Sequence, residues 1–450
     1  MQLTNDMDSQ HALLKSTGAE KPSNWVPLLD QPLHAVRKLR LACIGAGISG
    51  LILAHKINDV PAHSIWDEDS GKWKLSINQL GNVIKDECDI FVNASGFLNK
   101  WSWPNISGLH DFKGKPLHPA NWDTTYDWTG KSVAVIGNGS SAIQLVPHVQ
   151  KTAKRVVNYV RNPTWVATNY LEDYANGNHH YSEEQRKNFQ ENPESLFKLR
   201  KTLEHAFNQY FLAALDGTPE QKALDASIRK TMERRLGNDP ELIKRFVPKF
   251  KVGCRRPTPG DGNLEALQQE NAKTVWTPIT KITEKGILTA DGEEEYDLIV
   301  TATGFDVSFR PSWNLVGRNG ASLAKDWERE PESYFGLCAA DHPNYFIYPG
   351  PNAPVAHGVL TSLLDVMTAY ILKWCRKVAI GDIKSISVKS EVMDDLGVWS
   401  QELLSKTVWA DNSTSWYKNG KATGKITALH PGSVTHYRGK EFKFYWLFVL

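Results

Sequence analysis

Two glycine-rich turns carry the clearest chemistry in this sequence. The apolar run Leu39–Ile44 leads into Gly45-Ala-Gly47-Ile-Ser-Gly50 and then into Leu-Ile-Leu-Ala, while Ser132–Ile136 leads into Gly137-Asn-Gly139-Ser140-Ser141-Ala142. Between a strand and a helix such glycines divide the work. One makes the tight turn, one lets the backbone approach a pyrophosphate, one lets helix rest closely on strand, and the phosphates sit at the helix N-terminus. A third chemical signal follows the second turn. The run Val156–Val160 ends in Arg161, where an NAD-specific unit would place Asp or Glu. A guanidinium there can accept an additional 2′-phosphate, which predicts NADP; the alternative is a solvated arginine at a strand end.

The elements that must position these groups can be read around them. Asp89-Ile-Phe-Val-Asn-Ala-Ser-Gly96 is a short apolar run ending in small residues, and Asp297-Leu-Ile-Val-Thr-Ala-Thr-Gly304 repeats that pattern. Each predicts a buried parallel strand whose carboxyl end lies beside a bound nucleotide. Ile65–Ile77, with Asp-Ser-Gly-Lys in its middle, predicts a hairpin. Residues 182–250 are charged and carry Leu199, Leu203, Ala206, Phe207 and Tyr210 at helical spacing, so a helical insertion is expected there, returning to strand near Lys249. The fold class expected is α/β, with two interleaved Rossmann-like dinucleotide-binding domains, one for each glycine turn, and the helical insertion. Their expected limits are 1–118 for the first part of the first domain, 119–290 for the second domain with its insertion, and 291–450 for the return to the first. The stretch Phe112–Asp123 reads as a linker, because Gly114 and Pro116 interrupt regular structure and aromatic residues stand near both ends.

Composition narrows the partners. The chain has 450 residues, 41% hydrophobic and 23% charged, with a net charge of +2 and a mean hydropathy of -0.41. That charge offers no nucleic-acid footprint, and no run is apolar enough for a membrane span. Five scattered cysteines without a Cys-x-x-Cys pair point to a reducing compartment and no metal site. With a polar stretch from Met1 to Glu20, no signal peptide is expected, and the location expected is cytoplasmic. Tryptophan is abundant at 16, as a pocket for a flat cofactor or bulky ketone would need, and as any large core would also use.

The stretch before the second glycine turn resembles the fingerprint of the Baeyer-Villiger monooxygenases. Phe112, Gly114, His118, Trp122 and Asp123 fill its positions in order. The resemblance extends over nearly the whole chain from about Arg40. It implies that Gly45, Gly47 and Gly50 serve FAD, and that Gly137, Gly139, Ser140 and Ser141 serve NADPH. In Cys-Arg-Arg-Pro it implies that Arg256 is the active-site arginine and that Arg255 lies near the NADP phosphate. Trp416, in Ser-Trp-Tyr, resembles the tryptophan that rests on the nicotinamide nucleotide, and Asn352, in Gly-Pro-Asn, resembles an element flanking the flavin. Asp59 resembles an acidic residue beside the active-site arginine. The implied reaction consumes NADPH and molecular oxygen and inserts oxygen next to a ketone carbonyl. A bulky apolar ketone of secondary metabolism is expected, because Cys-Arg-Arg-Pro-Thr-Pro-Gly is similar to the fungal form. A flavin monooxygenase acting on soft nitrogen or sulfur is disfavoured by Trp122-Asp123. Nothing in the sequence gives the oligomeric state.

One region departs from the family. Asp59 follows Gly50 by only nine residues, and the segment that would hold the acidic residue for the FAD ribose and a Gly-Gly-Thr-Trp element is missing. Asp67 and Glu68 are the nearest candidates for the ribose. The shortened unit leaves a second expectation, an inactive or weakly flavin-binding remnant that retains NADP binding.

Overall fold

The computed structural model describes residues 36–45, 47, 61–167, 181–353, 358–441 and 448–449. Gly50 and Asp59 lie outside the described residues.

The first unit is a three-stranded parallel sheet with Ile90–Asn93 in the middle, Leu41–Ile44 on one side and Tyr345–Ile347 on the other. Both faces are covered, which is why its strands are apolar throughout. Cys43, Ile90 and Val92 face Leu363, Met367 and Ile371 of the helix Leu360–Ile380. Ala42, Ile44, Phe91 and Ile347 face Trp66, Trp73 and Leu75 of a four-stranded sheet. That sheet runs Asn314–Val316, Pro61–Asp67, Lys72–Gln79, Asn82–Cys88 and contains the expected hairpin. Its first turn is held by Asp67, whose Oδ1 accepts from the amides of Asp69 and Ser70 at 3.0 Å each. Its second turn uses Leu80 and Gly81, both with positive φ (49° and 90°), as a tight two-residue hairpin requires. Four tryptophans, Trp66, Trp73, Trp313 and Trp327, are spent on this core rather than on a ligand.

The second unit is a five-stranded parallel sheet in the order Ala272–Val275, Arg155–Tyr159, Ser132–Ile136, Leu298–Thr301, Lys115–Leu117. From Ser132–Ile136 the chain steps outward to Arg155–Tyr159 and Ala272–Val275 and then crosses back to Leu298–Thr301 on the other side, a strand-order reversal whose ligand crevice opens at the carboxyl ends of the strands. The helix Ser140–Gln150 covers one face through Ala142, Val146 and Val149, and the other rests on Leu109, Phe112, Ile282 and Ile287.

Strand pairing carries Lys115–Leu117 and Leu298–Thr301 into this second sheet, past the limits expected at 118 and 291. It also revises the linker reading. Pro116 sits in a strand paired with Leu298–Val300, tolerated because that strand is at the sheet edge, where a missing N–H goes unused.

Four helices fill the insertion: Glu183–Glu191, Pro193–Ala214, Pro219–Arg235 and Pro240–Phe246. Three begin at proline followed by glutamate, and two of these have an N-cap that accepts backbone hydrogen bonds, Thr218 from Gln221 and Asp239 from Glu241 and Leu242. A fixed φ at the first position and an acid over the positive end of the helix dipole favour starting a helix at such sites. The expected return to strand near Lys249 comes later, at Thr258–Pro259, which pairs with Val166–Ala167.

Candidate nucleotide and active site

The two glycine turns are built alike. Gly45 has φ +104°, and a Cβ on it would lie 2.3 Å from the carbonyl oxygen of Ala94; Gly137 has φ +119°, and its Cβ would lie 2.4 Å from the carbonyl oxygen of Ala302. In each unit the first glycine presses on the alanine that ends the returning strand. No other residue fits there. A Cβ on Gly47 or Gly139, by contrast, would meet nothing within 4 Å, so the second glycine of each turn faces open space of the kind a pyrophosphate needs. Gly139 caps the helix Ser140–Gln150 in extended conformation, Ser140 is exposed and Ser141 half-buried. Ser140 Oγ is 2.7 Å from Thr258 Oγ1. The turn is braced from behind by Asn158, a residue sequence reading missed. Its buried amide donates to the carbonyls of Val135 and Gly137 at 3.0 and 2.8 Å.

Beyond the end of Arg155–Tyr159 a cleft of about 1010 Å³ opens. Arg161, Lys244, Arg245, Lys249, Arg255 and Lys273 line it together with Asp291, Glu293 and Glu294, and Lys273 pairs with Glu294 at 2.6 Å. The Thr164 hydroxyl donates to the Asn138 carbonyl at 2.8 Å and so ties the Arg161–Pro163 wall to the second glycine turn. Arg255 lies with its guanidinium carbon 4.6 Å from the centre of the Phe250 ring, and its buried Nε has no hydrogen-bond partner. Burial, and then the neighbouring charge of Arg161, hold its pKa below the ordinary value for arginine. Two guanidiniums thus stand close enough to repel each other, and one keeps an unused buried donor. Paired guanidinium donors of this kind match the acceptor geometry of a phosphate.

Arg256 is exposed and is not among the residues lining this cleft, so the pair Arg255-Arg256 is split between two environments. Trp416 is half-buried and stacks on Phe97, with ring centres 5.7 Å apart and planes 23° apart; Phe97 stacks in turn on Phe309 at 5.5 Å. Phe97 follows the strand Ile90–Asn93, so Trp416 reaches the carboxyl side of the first sheet. Asn352 is committed to structure: its side-chain amide donates to the carbonyls of Ile426 and Leu429 at 2.9 Å each.

The fingerprint residues form a folded knot. Phe112 is buried in the core of the second unit, and a Cβ on Gly114 would lie 2.4 Å from the Phe112 ring. His118, 1% exposed, stacks on Trp101 with centres 4.6 Å apart, and its Nδ1 accepts from the Ala120 amide at 3.1 Å. Burial lowers its pKa, opposed by the backbone of Gly304 at the end of a second-sheet strand. Trp122 meets Trp128 edge-on at 5.7 Å. Asp123 pairs with Lys115 at 2.6 Å and accepts from the Thr125 hydroxyl and amide, which together hold its pKa down to about 2.

The two acids considered for the FAD ribose are engaged elsewhere. Asp67 caps its own turn, and Glu68 pairs with Arg318 at 2.9 Å and accepts from the Trp66 indole at 2.7 Å. Their strand pairs with Lys72–Gln79 and Asn314–Val316, not with Leu41–Ile44. Gly45 and Gly47 thus fit the pyrophosphate of a dinucleotide, whereas Asp67 and Glu68 do not fit its ribose.

The flavin-binding monooxygenase-like family model matches residues 53–178. An FAD-binding monooxygenase of Aspergillus terreus, tazF, is 43% identical over 83% of this chain and 68% of its own length. A Baeyer-Villiger monooxygenase of Pseudomonas aeruginosa is 30% identical over 84% of this chain and 70% of its own length. The chain belongs to this family. Its backbone agrees with that of the flavin-binding, Baeyer-Villiger-type monooxygenases: cyclohexanone monooxygenase from Rhodococcus sp. Phi1 bound to NADP+ superimposes with a TM-score of 0.74 at 23% identity, covering 88% of this chain and 80% of the other. OTEMO in complex with FAD and NADP gives 0.73 at 21% identity, covering 88% and 81%. The chain spans 61 to 68% of the length of three fungal members of the family. Among the described residues no helix is long and apolar enough to cross a membrane.

Proposed function

We propose that this chain is an FAD- and NADPH-dependent monooxygenase that inserts an oxygen atom next to the carbonyl of a bulky apolar ketone, giving an ester. The observation that carries the reading is the nucleotide cleft: a glycine turn with open space above Gly139, followed by Arg161 and by Arg255 with its buried Nε unused, in a chain of this family. Arg161 and Arg255 bind the 2′-phosphate, and the second glycine turn with Ser140 and Ser141 takes the pyrophosphate. Gly45 and Gly47, with Gly50, take the pyrophosphate of FAD, which when bound supplies the oxygen chemistry. Trp416 holds the nicotinamide side of NADP, and Asn352 holds the segment Ile426–Leu429 in place. Arg256 is the cation that stabilises the alkoxide developing on the ketone carbon, a task for which a permanent planar charge is suited, and Asp59 orients it. The similarity of Cys-Arg-Arg-Pro-Thr-Pro-Gly to the fungal form of the arginine segment supports a ketone of secondary metabolism, with molecular oxygen as co-substrate. Domain limits near 1–118, 119–290 and 291–450 are proposed in the functional sense, with the two sheet strands exchanged as described.

A second reading has its own support. Asp67 and Glu68 are engaged away from the first glycine turn, Asp67 with the amides of its own turn and Glu68 with Arg318 and Trp66. On that reading the chain binds NADP and holds FAD weakly. Incubation with NADPH, FAD and a panel of bulky ketones under air separates the two: ester formation supports the enzyme, and NADPH binding without ester at saturating FAD supports the remnant.

A further inference from the structure

The segment Asp411–Ala422 carries Trp416 and is closed on itself by one side chain. Lys418 is 1% exposed, and its ammonium donates to the carbonyl of Asp411 and to the carbonyl of Ala422, both at 2.6 Å. It therefore ties together two points eleven residues apart. Among the described residues no carboxylate lies within ion-pair distance of it; its hydrogen bonds go to backbone carbonyls, with the Asp411 carboxylate acting only from further off and Arg255 repelling it. Such a group is costly to bury, and a neutral side chain would have served if covering apolar surface were the whole task.

The closed segment touches both nucleotide units. On one side Asn412, Ser413, Thr414 and Ala422 line the cleft of Arg161 and Arg255, and the Ser413 hydroxyl lies 2.8 Å from the thiol of Cys254, the residue before Arg255. Asp411 accepts from the amide of Lys251 at 2.9 Å, fixing the start of the same arginine loop. On the other side Trp416 stacks on Phe97 beyond the strand Ile90–Asn93 of the first sheet. The Tyr417 carbonyl accepts from Thr427 at 2.9 Å, and Thr427 in turn accepts from Asn352 at 2.8 Å.

We propose that Lys418 is a positioning residue that holds Trp416 in fixed relation to the arginine loop, so that NADP bound in the cleft is felt at the first sheet. The inference rests on the cleft being an NADP site and goes beyond it. Lys418 touches neither cofactor nor substrate. Its ammonium keeps the segment closed, and closure is what lets Ser413 and Trp416 act on opposite sides of one rigid piece.

Hydrogen exchange with and without NADP+ tests this on the purified chain, without calling on turnover. In the wild type, NADP+ should slow exchange both in residues 411–422 and in residues 94–100. In Lys418→Met, exchange in 411–422 without nucleotide should rise at least tenfold, and protection of 94–100 by NADP+ should vanish while NADP+ still binds at Arg255. Lys418→Arg, which keeps the charge and donors, should restore part of the protection. Phe97→Leu, which leaves the lysine in place, should keep protection of 411–422 and lose it at 94–100; this variant carries the test if Lys418→Met does not fold. In steady state, Lys418→Met should lower kcat with little change in KM for NADPH, the reverse of Arg255→Ala. Lys418→Met behaving as wild type, with NADP+ protection of 94–100 intact, overturns the role of Lys418. Absence of NADP+ binding in the wild type overturns the cleft assignment instead.

Discussion

Removing Arg255 should cost affinity for NADP+ and leave affinity for NAD+ nearly unchanged. In the nucleotide-free chain its guanidinium is half-buried over Phe250, its Nε lacks an acceptor and Arg161 repels it. A 2′-phosphate would satisfy the donor and neutralise the repulsion together. A hydrogen bond to a charged group contributes about 1.5–3 kcal/mol, so Arg255→Ala should raise the Kd for NADP+ by about 10- to 150-fold. Arg161→Ala should narrow the preference for NADP+ over NAD+ by about 1–3 kcal/mol. Because both would grip one phosphate, the double variant should lose less than the sum of the two. Without nucleotide the sign reverses: Arg255→Met should melt at or above the wild-type temperature, since it removes a desolvated charge with no partner. Calorimetric titration of NADP+, NAD+ and 2′,5′-ADP, together with thermal melts of the free proteins, measures all of this. Equal affinity of the wild type for NADP+ and NAD+, or an equal loss for both in Arg255→Ala, would refute the reasoning.

Four further outcomes are expected. Gly137→Ala should destabilise the fold by more than about 1 kcal/mol, because φ is +119° and the new methyl meets a backbone carbonyl, while Gly139→Ala, which meets nothing, should stay within about 1 kcal/mol of wild type yet lose NADP+ binding; melts and titrations of both decide it. Leu80→Asn should stabilise by about 1 kcal/mol in chemical denaturation, because a fully exposed leucine there holds a left-handed conformation that asparagine adopts more readily. Asp123 has its pKa lowered to about 2 by Lys115 and Thr125, so its contribution is complete above the ordinary carboxylate pKa of about 3.9 and is lost as pH falls toward 2. The gap in melting temperature between wild type and Asp123→Asn should therefore be constant from pH 7 to about 5 and close by about pH 2; a gap unchanged at low pH would remove the pair from the account. Arg256→Ala should fold normally and form no ester, with Arg256→Lys a poor replacement; ketone conversion at the wild-type rate by the alanine variant would clear Arg256 of its role.

Local pattern carried the parts of the fold that local physics determines. A returning strand ending in Ala-x-Gly could be read twice because a strand buried on both faces must be apolar throughout, and the helical insertion could be read from the spacing of Leu199, Leu203, Ala206, Phe207 and Tyr210. Which sheet a strand joins is set by distant partners. Ile90–Asn93 and Leu298–Thr301 look alike in sequence and pair in different sheets, and Lys115–Leu117 looked like a linker because an edge position that tolerates Pro116 is visible only with its neighbour present. The site divides in the same way. Gly45 and Gly137 were legible from their turns, and Arg161 from its strand end. Asn158, the basic wall of Lys244, Arg245 and Lys249, and the buried Lys418 were not: the partners of Asn158 and Lys418 are backbone carbonyls that only the fold brings near, and exposed lysines and arginines read as solvated until the fold lines them along one cleft.

The most direct measurement of the central claim is flavin content and NADPH-dependent ester formation on the same purified sample, before and after addition of FAD. With the pyrophosphate seat intact at Gly45 and Gly47 and the ribose acids engaged elsewhere, the chain should be purified with less than one flavin per chain, take up more on addition of FAD, and convert a bulky ketone to its ester with NADPH consumed in step. NADPH binding with no ester at saturating FAD would contradict the monooxygenase assignment and leave the nucleotide-binding remnant in its place.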